Sequence, residues 1–298
     1  MKALLLDGKK VAGHIKEDVA RQVEELKSRN ILPRLVVVLV GKDPASEVYV
    51  RNKARACEKL GIQSETIHLD EKTGEEELLR QIRLLNEERS VHGILVQLPL
   101  PGHMDSDKVI AAINPDKDVD CFHPRNVGLL MQGHPYLLPC TPAGIVEILK
   151  YYTIDTQGKH IVILGRSNIV GKPLANMLVQ KNKWANATVT LAHSRTQNIR
   201  ELCVQADILV AAIGKPAFVT ADMVKEGATV IDVGINRVDD GDSPRGYRLS
   251  GDVQFETVAQ KAAAITPVPG GVGPMTIAML MQNTVTAARY ISGIKEQI

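Results

Sequence analysis

Leu35-Val36-Val37-Val38-Leu39-Val40 is an unbroken apolar run with no residue to offer to solvent. Such a strand has to be buried on both faces, the situation of a strand inside a parallel sheet covered by helices. The flanking sequence supplies those helices. Over residues 9–29, Ile15, Val19, Val23 and Leu26 recur at helical spacing. Asp43 as N-cap, Pro44 at the first position and Gly61 just past the end bound a predicted helix over Pro44–Leu60. A strand at Ile67–Leu69, a helix over 75–88 and a strand at Gly93–Val96 continue the alternation. This βαβα order predicts an α/β fold built on a parallel sheet.

Residues 98–142 interrupt the pattern with Pro99, Pro101, Pro115, Pro124, Pro135, Pro139 and Pro142, around one short helical stretch near 106–113. A long proline-rich passage of this kind marks a functional loop or a domain junction. Alternation then resumes: a helix from Ala143, strands at His160–Leu164, Thr188–Ala192, Ile208–Ala212 and Thr229–Val233, a helix from Gly171, and a last helical pattern from Pro274. With aromatic residues at 3% and hydrophobic residues at 44%, the cores have to be aliphatic, and stacking platforms for nucleic-acid bases are not expected. Lys plus Arg number 36 against 34 Asp plus Glu, a balance that calls for no polyanionic partner. The apolar runs are too short to span a bilayer, and Asp7 arrives before a signal-peptide core could form. Cys57, Cys121, Cys140 and Cys203 contain no C-x-x-C pair, so they read as reduced thiols of a cytoplasmic chain and not as a metal site.

The strand at His160–Leu164 runs into Gly165-Arg166-Ser167-Asn168-Ile169-Val170-Gly171, a glycine-bounded turn that opens a helix. Such a turn aims backbone N–H groups and a helix N-terminus at phosphate. Ser167 stands where the usual dinucleotide fingerprint has its middle glycine. The next strand ends at His193-Ser194-Arg195-Thr196, where NAD-preferring folds place an acidic residue for the ribose hydroxyls. Ser and Arg there fit a ribose 2′-phosphate, hence NADP, with Arg166 as a second cation. Gly214 and Gly234, at two further strand ends, read as places where backbone approaches a ligand. Two α/β domains with a cleft between them follow: residues 1–140, joined by the C-terminal helix 275–298, and a Rossmann-like NADP-binding domain over 141–274.

In the first domain, Ser46, Tyr49 and Lys53 lie at i, i+3 and i+7 on the predicted helix, which puts Tyr49 and Lys53 on one face. A lysine partly desolvated beside a ring gives up its proton more readily, which suits proton transfer near neutrality. Gln97 closes an apolar strand at its carboxyl end, the edge where α/β sheets bind ligands. Asp116-Lys117-Asp118-Val119-Asp120 sets carboxylates in the proline-rich passage, and one of them could accept two N–H bonds from an amidine-like ring edge. Loop capping is the competing reading, and spacing does not separate Asp118 from Asp120.

Five motifs stand in order: Ser46-x-x-Tyr49-Val50-x-x-Lys53, Gly93-Ile94-Leu95-Val96-Gln97-Leu98-Pro99-Leu100-Pro101, Lys117-Asp118-Val119-Asp120, Gly165-Arg166-Ser167-x-Ile169-Val170-Gly171-x-Pro173, and Pro267-Val268-Pro269-Gly270-Gly271-Val272-Gly273-Pro274-Met275-Thr276. Together they closely resemble the bifunctional methylenetetrahydrofolate dehydrogenase/cyclohydrolase family of the bacterial FolD type, from Leu6 almost to the C-terminus. The resemblance implies NADP-dependent oxidation of 5,10-methylenetetrahydrofolate to the methenyl cation, then its hydrolysis to 10-formyltetrahydrofolate. It implies Lys53 as the central group of the hydrolytic step, Tyr49 packed on the folate, Gln97 bonded to Lys53, and Asp120 on the pterin edge. It also implies Gly165, Arg166, Ser167, Ser194 and Ile235 around the cofactor, beside the Arg195 read from its strand-end position, with Pro269, Gly270 and Gly271 beside the folate, and a homodimer.

Three features depart from the family pattern. Cys121 takes the place of a usual glycine after Asp120 and would be strained if φ is positive there. Residues 183–186 read as an inserted surface loop, and 239–248 as an extended hairpin. A shikimate-type NADP dehydrogenase and a non-catalytic nucleotide-binding module are the alternatives, and the joint presence of Tyr49, Lys53 and Gln97 counts against the second.

Overall fold

The computed structural model describes residues 3–241, 243 and 246–294. The first half runs β1 (Leu4–Leu5), α1 (Gly8–Ser28), β2 (Arg34–Val40), α2 (Pro44–Leu60), β3 (Gln63–Leu69), α3 (Glu75–Glu87), β4 (Gly93–Val96), α4 (Ser106–Ala112) and α5 (Pro124–Met131). The second half runs α6 (Cys140–Tyr151), β5 (His160–Leu164), α7 (Gly171–Leu178), β6 (Thr188–Ala192), α8 (Ile199–Cys203), β7 (Ile208–Ala211), β8 (Thr229–Asp232), β9 (Asn236–Asp239), β10 (Tyr247–Ser250), α9 (Phe255–Val258), β11 (Ala264–Ile265) and α10 (Val272–Ile291).

The chain divides into two compact units. One comprises His14–Cys140 with Ile277–Ile298. Its sheet is parallel, in the order β3-β2-β4, so the apolar run becomes the central strand. Val36, Val38 and Val40 pack with Leu78, Ile82 and Ile94, and the alternate residues Leu35, Val37 and Leu39 are buried too. α2 has the predicted bounds for the predicted reasons. The Asp43 carboxylate accepts from Ser46 N–H at 2.7 Å, and Gly61 closes the helix at φ 68°. α5 lies inside the proline-rich passage. Pro124 begins it, as prolines can, with the His123 ring accepting from Arg125 N–H at 3.0 Å.

The other unit comprises Met1–Gly13 with Thr141–Thr276. Its six strands are all parallel, in the order β1-β11-β8-β7-β5-β6. This is a doubly wound, Rossmann-like sheet whose order reverses at β5, so the crevice between the ends of β5 and β7 is its topological switch point. β1 corrects the expectation that residues 1–140 stay together. Leu4 and Leu5 extend this sheet by pairing with β11, a two-residue strand too short to leave a periodic signal.

The hairpin expected over 239–248 forms from β9 and β10, with the Arg237 guanidinium 3.9 Å from the Tyr247 ring centroid; Pro244 lies outside the described residues. The segment 183–186 is not simply surface. Ala185 is buried, and its carbonyl accepts from the Thr156 hydroxyl at 3.0 Å. All four cysteines are free and buried. Among the described residues no helix is long and apolar enough to cross a membrane, and no cluster of His, Cys, Asp and Glu could hold a metal ion.

Candidate functional site

In the three-stranded unit, α2 leaves the carboxyl end of β2 and carries Ser46, Tyr49 and Lys53. Ser46 and Lys53 are buried, whereas Tyr49 keeps 37% of its surface exposed, as a ring offered to a ligand would. Lys53 Nζ donates to Gln97 Oε1 at 2.9 Å. Gln97 extends β4 by donating its N–H to Val38 O, and its Nε2 donates to Leu98 O at 2.7 Å. That second bond fixes the amide so that its oxygen, and not its nitrogen, faces the lysine.

Three positions of the Lys117–Asp120 motif are tied into the surrounding structure, and the fourth lies beside Lys53. Lys117 Nζ donates to the carbonyls of Leu85, Asn86 and Glu88 and so closes the C-terminus of α3. Asp118 is buried and accepts from His123 N–H at 2.8 Å and Asn126 Nδ2 at 3.0 Å, a loop-capping role. Val119 packs over Gly93, where a Cβ would come within 2.9 Å of it. Only Asp120 faces the lysine. Burial raises its carboxyl above the ordinary range, against the opposing pull of the Lys53 ammonium and a hydrogen bond with Cys140.

Asn283 of α10 supports this loop from behind, donating to Val119 O at 2.8 Å and Leu138 O at 2.7 Å. Neither Asn283 nor Cys140 carries a sequence signal, because each acts across more than a hundred residues or beside a partner known only after folding. Lys53, Gln97 and Asp120 thus come together, Tyr49 shares the helix face, and Asp118 is set apart. An ammonium and a carboxyl at the carboxyl edge of a parallel sheet can assist attack of water and grip an N–H-rich ring edge.

In the six-stranded unit, Gly165 follows β5 with φ 123°, and any side chain there would collide with the Ala212 carbonyl at the end of β7. A side chain at Gly171 would likewise strike the Gly165 carbonyl. Both glycines are demanded by close backbone approach at the switch point. Ser167 replaces the middle glycine with a function of its own: its hydroxyl accepts from Val170 N–H at 3.1 Å and Gly171 N–H at 3.4 Å, which shapes the start of α7.

Arg166, Ser194 and Arg195 are exposed at the ends of the neighbouring strands β5 and β6, and neither guanidinium is in an ion pair among the described residues. Ile235 is exposed after β8. This cradle fits a dinucleotide phosphate and a 2′-phosphate. Gly270, at φ 110°, receives Lys9 N–H on its carbonyl at 3.2 Å, and a side chain on Gly271 would crowd Pro267 O at 2.6 Å. Pro269, Gly270 and Gly271 therefore form a turn braced by the start of α1.

Gly234 departs from its expected role. A Cβ there would meet Asp252, with the carboxyl carbon at 2.5 Å, so the glycine makes room for a buried acid and not for a ligand. Asp232 and Asp252, both buried, hold this end of the sheet, and sequence reading passed over them.

Family models match both halves of the chain. The tetrahydrofolate dehydrogenase/cyclohydrolase catalytic domain matches residues 6–120, and the NAD(P)-binding domain of the same enzymes matches residues 139–292. The bifunctional protein FolD of Chloroherpeton thalassium is 57% identical over 290 residues, 96% of this chain and 99% of that protein. The crystal structure of the bifunctional FolD of Campylobacter jejuni has a TM-score of 0.91 at 49% identity, covering 97% and 99% of the two chains. The Trypanosoma brucei FolD, solved with an NADP cofactor and an inhibitor, has a TM-score of 0.92 at 40% identity, covering 97% and 98%. The chain belongs to the tetrahydrofolate dehydrogenase/cyclohydrolase family.

Proposed function

We propose that the chain catalyses both folate steps: NADP-dependent oxidation of 5,10-methylenetetrahydrofolate to the methenyl cation, and hydrolysis of that cation to 10-formyltetrahydrofolate. Bound NADP⁺ supplies the hydride acceptor. The protein's part in oxidation is to hold the reacting carbon in place, because the aminal carbon is already electron-rich. Asp120 and Tyr49 do this for the pterin, Asp120 by accepting N–H bonds at the ring edge and Tyr49 by packing on it. Pro269, Gly270 and Gly271 are the remaining folate contacts. Gly165, Arg166, Ser167, Ser194, Arg195 and Ile235 receive the cofactor, with Ser194 and the two arginines on the 2′-phosphate.

In hydrolysis water adds to the methenyl carbon, the bond from that carbon to N5 breaks, and the formyl group stays on N10. Lys53 hydrogen-bonds the incoming water and passes the proton as the bond opens. The observation that carries this reading is the Lys53 Nζ to Gln97 Oε1 bond at 2.9 Å, which holds the ammonium beside Asp120. The domain division proposed with it places Tyr49, Lys53, Gln97 and Asp120 in the unit of residues 14–140 with the C-terminal helix, and the cofactor site in 141–276. A cytoplasmic homodimer completes the proposal, with sedimentation and cell fractionation as its checks.

Lys53→Ala is expected to slow decay of the methenyl chromophore by at least ~100-fold, the lower range for loss of an acid/base group. Wild-type hydrolysis in that variant would overturn the assignment of Lys53.

A further inference from the structure

We propose that Asp252, outside the motifs that mark the cofactor site, is a positioning residue for the nicotinamide cofactor and acts through the loops that follow β7 and β8. The inference rests on the six-stranded unit binding NADP. Asp252 is fully buried, and among the described residues no cation pairs with it. A buried carboxyl without a cation is costly unless hydrogen bonds satisfy it. The bonds it accepts come from the loop after β7 and from Asn236, the first residue of β9, where the loop after β8 ends. Its Oδ2 accepts from Ile213 N–H at 2.7 Å and Gly214 N–H at 2.8 Å, and its Oδ1 accepts from Asn236 Nδ2 at 2.9 Å.

The first pair has a directional consequence. A trans peptide points its carbonyl opposite to its N–H. Drawing Ile213 N–H onto Asp252 therefore turns the Ala212 carbonyl the other way, towards Gly165 at the switch point, where it excludes any side chain. The bond to Asn236 fixes the residue next to Ile235 on the far loop. Asp232 in turn fixes Asp252. Its Oδ1 accepts from Asp252 N–H at 2.9 Å and Gly234 N–H at 3.0 Å, and its Oδ2 accepts from Val253 N–H at 2.9 Å. Two glycines leave room for the carboxyls: a side chain on Gly234 would strike Asp252, and one on Gly251 would strike Asp232. Asp252 thereby holds the backbone after β7 directly, and the segment after β8 together with Asp232.

The two activities supply the control. Hydrolysis of methenyltetrahydrofolate consumes no nicotinamide cofactor and uses the other unit's Lys53. NADP⁺ affinity is read by calorimetry on the whole chain, and hydrolysis by loss of methenyl absorbance. Asp252→Ala is expected to raise the NADP⁺ dissociation constant at least ~10-fold, as loss of hydrogen bonds to a charged group does, with hydrolysis within about twofold of wild type. Asp252→Asn keeps one carbonyl oxygen for Ile213 and Gly214 but turns its amide NH2 towards the Asn236 amide, so an affinity between those of wild type and the alanine variant is expected.

Unchanged NADP⁺ affinity in a folded Asp252→Ala variant would overturn the proposal, as would parallel loss of affinity and hydrolysis. Should the alanine variant fail to fold, Asp252→Asn decides: an intermediate affinity with intact hydrolysis supports the proposal, and wild-type affinity overturns it. A wild-type chain that binds no NADP⁺ would sink the cofactor reading itself, a different result from either.

Discussion

Cys121 sits at φ 62°, in the left-handed region that a side chain with a Cβ enters only at a cost of about 1–2 kcal/mol. The expected strain beside Asp120 is therefore present. The thiol offsets part of it, being fully buried and donating to Leu137 O at 3.2 Å. Cys121→Gly removes the strain but also the buried sulfur, and glycine gains more freedom in the unfolded chain. Denaturant unfolding should place that variant within about 1 kcal/mol of wild type, since the opposing effects are each of that size. Cys121→Val adds a branch at Cβ where φ is positive and should lose roughly 2 kcal/mol or more. Equal stability of the valine and wild-type chains would contradict the strain. The neighbouring acids teach a related lesson. Asp118 and Asp120 are equivalent in spacing, and only the backbone N–H of His123 and the amide of Asn126, both bonded to Asp118, show which one caps the loop.

At the scale of elements, helix and strand bounds follow local rules closely. Asp43, Pro44 and Gly61 delimit α2 as their chemistry requires, and the β-branched runs became buried parallel strands. α5 escaped notice because proline density reads as loop, although Pro124 is a permitted first residue of a helix. The turn between β5 and α7 shows how an element end can depend on contacts from another strand. Gly165 is held against Ala212 of the β7 end, and Gly171 against Gly165. Gly171→Ala would drive a methyl group into backbone that cannot retreat. It is expected to cost about 2 kcal/mol or more and to weaken NADP⁺ binding, measured by unfolding and calorimetry. An alanine variant with unaltered melting and affinity would show that the turn has slack the packing does not suggest.

For the molecule as a whole, the buried acids set how stability responds to pH. Burial raises the Asp232 carboxyl to about 6 against its three backbone N–H partners, with the Asp252 charge adding to the rise. A raised acid binds more protons in the folded than in the unfolded chain between its unfolded value of 3.8 and about 6. Its contribution therefore falls as pH rises through that window and is fully lost above about 6. Relative to Asp232→Asn, wild-type unfolding free energy should drop by about 2 kcal/mol from roughly pH 4.5 to 7.5. A difference that stays constant over this range would refute the assignment. Glu77, lowered to about 2 by Arg80, works in the opposite sense, but it is a solvent-screened surface pair and adds little. The sequence alone determined the α/β alternation, the caps of α2, the lysine-centred and glycine-rich motifs, and through them the family, because each depends on residues within a few turns of one another. Tertiary structure decided what depends on distant partners: β1 joining the six-stranded sheet, Asp120 rather than Asp118 facing Lys53, Asn283 bracing that loop, and Gly234 yielding space to Asp252. A hydrogen bond or a collision between residues far apart in the chain has no local pattern, so it becomes legible only when folding brings the two ends of the contact together.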